Sequence, residues 1–189
     1  MKTISTVITA ILLTIPTIPL AQDYSTSSKE ISNNTTYHLN AGVAVGATDA
    51  GDMTYRFAIA APWNVNWLNS TVGYVSGYWD FGYTYWEGGD AAAGNHSLAV
   101  APVFTYNFNT NSQIKPYIEV AIGVAAFSRT RVSNKKLGSA FNFEDRLGLG
   151  ITFLERQKLG VRVMHYSNGG IKKPNQGVNN YSLFYSYAF

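Results

Sequence analysis

Phe141-Asn142-Phe143-Glu144-Asp145-Arg146-Leu147-Gly148-Leu149-Gly150-Ile151-Thr152-Phe153 is the stretch on which the fold turns. Within residues 140–153, Phe141, Phe143, Leu147, Leu149 and Ile151 alternate with Asn142, Glu144 and Arg146. A period of two puts the two sets on opposite faces of a strand. One face is apolar and the other carries charges of both signs. A dry sandwich core holds such charges poorly, whereas paired ions can fill a narrow barrel lumen.

The same alternation recurs along the chain. Residues 37–47 place Leu39, Ala41, Val43 and Val45 on one face, and 54–61 place Tyr55, Phe57 and Ile59 opposite Arg56. Residues 72–86 set Trp79, Phe81, Tyr83 and Tyr85 against Asp80 and Thr84. Residues 96–108 offer Leu98, Val100, Phe104 and Tyr106, and 116–128 set Ile118, Val120 and Ile122 against Glu119. Residues 158–168 offer Leu159, Val161 and Val163, and 179–189 offer Tyr181, Leu183, Tyr185, Tyr187 and Phe189. Tilted strands cross a bilayer in about 9–11 residues. Tyr and Trp gather near strand ends, like interfacial girdles. Gly, Asn, Asp, Ser and Pro fill the connections. The expected fold is all-β: an eight-stranded antiparallel up-and-down transmembrane β-barrel over residues 37–189. The closing Tyr187-Ala188-Phe189 resembles the end signature of bacterial outer-membrane barrels. In such barrels both termini lie on the periplasmic side, with short turns there and longer loops outside. The 169–178 loop then lies at the cell surface and the Glu155-Arg156 turn in the periplasm.

Composition agrees. Hydrophobic residues make up 46% of the 189 and charged residues only 13%, about half of a soluble domain's share. A net charge of +3 is too small to argue for nucleic acid. Without Cys there is no disulfide, thiolate metal site or Cys nucleophile. Three His residues do not suggest a metal cluster, and neither metal nor cofactor is expected. Residues 1–21 read as a secretory signal peptide: Lys2, an apolar run from Ile4 to Leu20, and Ala21 as the last residue removed. Residues 22–36 form a polar N-terminal segment, and no second long apolar run follows.

Chemistry concentrates in Met164-His165-Tyr166-Ser167-Asn168. His165 and Ser167 are two apart and share the parity of Leu159, Val161 and Val163. The pair therefore faces outward, toward lipid, at the outer end of its strand. A His beside a Ser can act as general base toward the hydroxyl. The plainer reading is an interfacial His with a passive Ser.

The run His165-Tyr166-Ser167-Asn168-Gly169-Gly170, followed by Lys172-Lys173-Pro174-Asn175-Gln176-Gly177, resembles the lipid A 3-O-deacylase (PagL) family. The resemblance covers the last quarter of the chain by motif and the rest by strand pattern. It implies an outer-membrane barrel that removes the ester-linked 3-hydroxyacyl chain at position 3 of lipid A. Ser167 matches the nucleophile and His165 the base. Asn168, Gly170 and Asn175 match the region used for positioning and oxyanion stabilisation. Such donors are worth about 3–4 kcal/mol each. The implied partners are lipopolysaccharide as substrate, membrane lipids and the outer-membrane assembly machinery, with a homodimer left open. Lys172 and Lys173 are either phosphate contacts or solvated loop lysines.

One position departs from the family pattern. Where the family has a Glu that orients the His, this chain has Asn179, and no Asp or Glu follows Glu155. An Asn can hold a His tautomer but cannot offset an imidazolium charge. Asp145 is a candidate stand-in acid: its parity is outward, and a hairpin register pairs it with His165 or, two residues along, with Ser167. The other readings are a solvated Asp145, a non-enzymatic or degenerate barrel, and a phospholipase.

Overall fold

The computed structural model describes residues 39–189. The expected signal peptide, the polar segment and the first two residues of the 37–47 strand lie outside the described residues. Eight long strands run antiparallel: β1 (Asn40–Thr48), β2 (Met53–Pro62), β3 (Gly73–Trp86), β4 (Asn95–Phe108), β5 (Lys115–Phe127), β8 (Phe141–Phe153), β9 (Gln157–Ser167) and β10 (Val178–Ala188). Between β5 and β8 lies a two-stranded ribbon, β6 (Arg131–Val132) and β7 (Lys135–Lys136). The circular order is β1-β10-β9-β8-β5-β4-β3-β2, a closed barrel. Closure by β1 against β10 removes the sheet edges that an open sheet would leave unpaired. No described helix is long and apolar enough to cross a membrane, which says nothing of a barrel, since barrels cross with strands.

The expected faces appear. Val43, Phe57, Phe81, Leu98, Val120, Leu147, Val161 and Leu183 are exposed on the outer wall. The lumen is filled by ions in partnership. Asp80 Oδ2 accepts from Arg56 Nη2 and Arg146 Nη2, both at 2.6 Å. Glu144 accepts from Arg146 at 2.5 Å, Arg56 at 3.4 Å and the Tyr166 hydroxyl at 2.8 Å. Farther along, Glu119 pairs with Arg162 and accepts from the Tyr78 hydroxyl at 2.8 Å. Gly82 faces the Arg56 guanidinium, where a β-carbon would collide with the planar head. Each of these buried ions thus has an opposite charge within reach, as burial requires.

At the end opposite the termini the lumen turns apolar. Trp86, Phe127 and Tyr166 meet edge-on or tilted, with centroids 5.2–5.5 Å apart. Val132 and Leu137 of the ribbon segment pack into the same buried cluster. Residues 128–140 therefore plug the barrel. Asn95 Nδ2 ties them down by donating to the carbonyls of Arg129 and Arg131, both at 2.8 Å.

One loop differs from the expected pattern of short turns at the termini end. Residues 63–72 are longer than the 154–156 turn at the same end. Apolar rings explain it. Trp63 folds back over Gly77 and meets Phe104 and Trp79, while the Trp67 backbone exchanges bonds with Val75 at 2.7 and 2.8 Å. The loop adds aromatic cover to the outer wall.

Candidate active site

His165 and Ser167 end β9 and are half-buried, on the same face as exposed Val161 and Val163. Between them Tyr166 points inward, fully buried, and is anchored through Glu144. That inward anchor fixes the parity of the two outward side chains. Across the sheet, Asn179 of β10 and Asp145 of β8 stand directly opposite His165. Of the two hairpin registers open to the sequence, the one pairing Asp145 with His165 is adopted. Phe143 takes the place opposite Ser167.

The imidazole is held from the β10 side. Its Nδ1–H donates to Asn179 Oδ1 at 2.7 Å. This leaves the Nε2 lone pair free to accept a proton. Gly177 backs that edge of the ring: a β-carbon there would lie 2.7 Å from Cε1 and 3.1 Å from Nε2. Gly177 directly precedes Val178, whose pairing with Tyr166 is the last of the β9–β10 ladder. The Cε1–Nε2 edge therefore lies against the Gly177 backbone. Gly177 also has φ of 64°, a conformation that favours glycine. Among the described residues no hydrogen bond joins Ser167 Oγ to His165, and no ion pair joins Asp145 to it. Such contacts commonly tighten only when substrate is bound.

The expected positioning residues are bonded to one another. Asn168 is fully buried. Its Nδ2 donates to the carbonyls of Leu137 and Lys172, both at 2.7 Å, and its Oδ1 accepts from Gly170 N–H at 2.9 Å. Its own N–H donates to Asn175 Oδ1 at 3.0 Å. Asn168 thus spends its carboxamide holding the 168–177 loop against the plug, and the Gly170 amide is taken up in that bracing. Gln176 completes the join: it donates its N–H to Lys136 O at 3.2 Å, and its Oε1 accepts from Lys136 N–H at 2.6 Å. The sequence reading missed Gln176, Leu137 and Lys136, because their roles depend on contacts across some 30 to 40 residues of chain. Lys172 and Lys173 are exposed on the same loop. No group of three or more His, Cys, Asp or Glu gathers among the described residues to hold a metal.

The outward His-Ser pair stands on a barrel that resembles known proteins in both sequence and shape. Residues 49–188 match the family model for lipid A 3-O-deacylase (PagL). A lipid A deacylase PagL of Pseudomonas aeruginosa is 52% identical over 168 residues, covering 89% of this chain and 95% of that protein. A lipid A deacylase PagL of Bordetella bronchiseptica is 34% identical over 110 residues, 58% of this chain and 61% of that one. The crystal structure of the outer membrane enzyme PagL superposes with a TM-score of 0.77 at 53% identity, covering 79% of this chain and 99% of that one. With most of the barrel matched in both sequence and shape, this chain belongs to the lipid A 3-O-deacylase (PagL) family.

Proposed function

We propose that this chain is an outer-membrane esterase that hydrolyses the ester-linked 3-hydroxyacyl chain at position 3 of lipid A. One observation carries the reading. The His165 ring is held through Nδ1 by Asn179, which leaves Nε2 free to accept a proton, two residues from Ser167 on the outward wall of a barrel of this family. Acyl chains of a lipid substrate already lie against that wall, so no tunnel is required. In the proposed orientation the site faces the outer leaflet.

Ser167 Oγ attacks the ester carbonyl as His165 Nε2 takes its proton. The tetrahedral oxyanion collapses, and His165 returns the proton to the departing sugar oxygen. Water, deprotonated by His165, then attacks the acyl-serine, and His165 returns the proton to Ser167 Oγ as the 3-hydroxy fatty acid leaves. Asn175 has its oxygen committed to Asn168 N–H, which leaves its NH₂ group to donate to the oxyanion. Asn168 and Gly170 act by positioning. Asn179 orients the base, and Asp145, opposite His165 on the other neighbouring strand, offsets the imidazolium charge. The family acid's two tasks are thereby divided between two residues.

The test is mass spectrometry of lipid A from cells expressing the wild type and Ser167→Ala. Loss of one 3-hydroxyacyl group with the wild type alone is the expected result. Intact lipid A alongside intact phospholipid in both strains would identify a non-enzymatic barrel. Release of lysophospholipid would identify a phospholipase.

A further inference from the structure

The rim of the barrel opposite the termini is electrically divided. Its four loops follow one another around the barrel mouth as 49–52, 168–177, 128–140 and 87–94. Loops 128–140 and 168–177 contain Arg129, Arg131, Lys135, Lys136, Lys172 and Lys173 and no Asp or Glu. Loops 49–52 and 87–94 contain Asp49, Asp52, Glu87 and Asp90 and no Lys or Arg. The basic half stands over β5, β8, β9 and β10, the strands that carry the His165–Ser167 site. A single ion pair, Lys135 with Asp49 at 3.4 Å, links the halves among the described residues. Arg129, Arg131, Lys136, Lys172 and Lys173 are all exposed, and among the described residues no carboxylate forms an ion pair with them.

The cations are also gathered rather than scattered. Arg131 and Lys136 stand directly opposite one another across the ribbon, on the face turned away from buried Val132. Like charges in that position oppose each other. The ribbon is joined to the site loop through Lys136 and Gln176, and Asn168, next to Ser167, bonds both Leu137 and Lys172. The two loops therefore present one braced cationic surface that begins at the residue following Ser167. Neutralising it calls for a ligand with more than one negative charge.

We infer that this half-rim is the headgroup site of the enzyme: Arg131 and Lys136, with Lys172 and Lys173, bind the phosphate monoesters of a bis-phosphorylated glycolipid whose acyl ester lies at Ser167. The acidic half repels the same headgroup, so the rim orients as well as attracts. The inference rests on the function proposed above. It adds Arg131 and Lys136 from a loop outside the family motif, and it makes phosphate, rather than acyl chain, the basis of selectivity over zwitterionic phospholipid.

Two measurements on the full chain in detergent micelles test it. In the first, Ser167→Ala is titrated with bis-phosphorylated lipid A and with the same lipid after phosphate removal. The phosphorylated form is expected to bind at least tenfold more tightly, with a preference that weakens as salt rises. The preference is expected to vanish when Arg131→Gln, Lys136→Gln, Lys172→Gln and Lys173→Gln are added. Equal binding of the two lipids, or a preference that survives the four substitutions, overturns the inference. In the second, turnover is followed with Ser167 intact. The ratio of kcat/KM for phosphorylated over dephosphorylated substrate is expected to fall about tenfold in the four-residue variant, and an unchanged ratio overturns it. Absence of all turnover by the wild type would count against the esterase reading, while the binding result still decides the headgroup site.

Discussion

The proposed base, His165, is held by a partner without charge. Asn179 Oδ1 fixes the ring by a 2.7 Å bond, as a carboxylate would, but offers only a dipole to the imidazolium that forms during reaction. Asn179→Ala is expected to lower kcat by roughly 10²-fold or more with far less effect on KM, because the tautomer and ring orientation are lost. Asn179→Glu is expected to raise kcat by restoring charge next to the ring. Asp145→Asn is expected to abolish deacylation, and initial rates on purified lipid A check all three. Full activity of Asp145→Asn would show that this carboxylate does not offset the imidazolium charge. Strand parity and the hairpin brought Asp145 near His165 on the sequence alone. The choice of partner at Nδ1 was not legible there, because it depends on how two short side chains reach across adjacent strands.

At the scale of elements, the β9–β10 hairpin owes its shape to the loop bracing beneath it. Gly177 is a close point beside the site, with positive φ and the imidazole against its α-carbon. Gly177→Ala is expected to displace the ring and cut deacylation at least tenfold while the barrel still folds. Activity on lipid A and the heat-dependent shift in electrophoretic mobility separate the two effects. The eight strands were legible because each repeats its alternation many times. The β6–β7 ribbon was not, since two residues per strand give no period to read. Its place is set by Val132 and Leu137 finding the apolar upper lumen, and by Asn95 holding two of its carbonyls.

Across the whole molecule, a lipid-facing shell encloses an ionic interior. Glu144 is bonded to Arg56, Arg146 and Tyr166, three groups from three strands. Glu144→Ala leaves two guanidinium groups sharing Asp80, and a loss of about 3–5 kcal/mol is expected for breaking such a buried network. Urea unfolding in lipid vesicles measures it. The loss extends to the site, since Tyr166 sits between His165 and Ser167. On the other surface, Val161 lies mid-strand and is 53% exposed on the outer wall. Val161→Arg is expected to cost about 2–4 kcal/mol in the same assay, as a charge placed toward the bilayer midplane does. A much smaller cost would mean that this part of the wall lies outside the hydrocarbon.

Alternation by itself determined the all-β barrel, the inward and outward sets, and the outward placement of His165 and Ser167. Each of these depends only on the two-residue period of a strand, which is local. The Asn and Gly residues after Ser167 marked the site by motif. Tertiary structure alone decided that Asn179 holds His165, that Asn168 and Gln176 lash the site loop to the plug, and that the rim cations gather on the side of the His165–Ser167 pair. Those outcomes come from barrel closure and loop packing, which bring together residues far apart in the chain. No local pattern encodes such contacts.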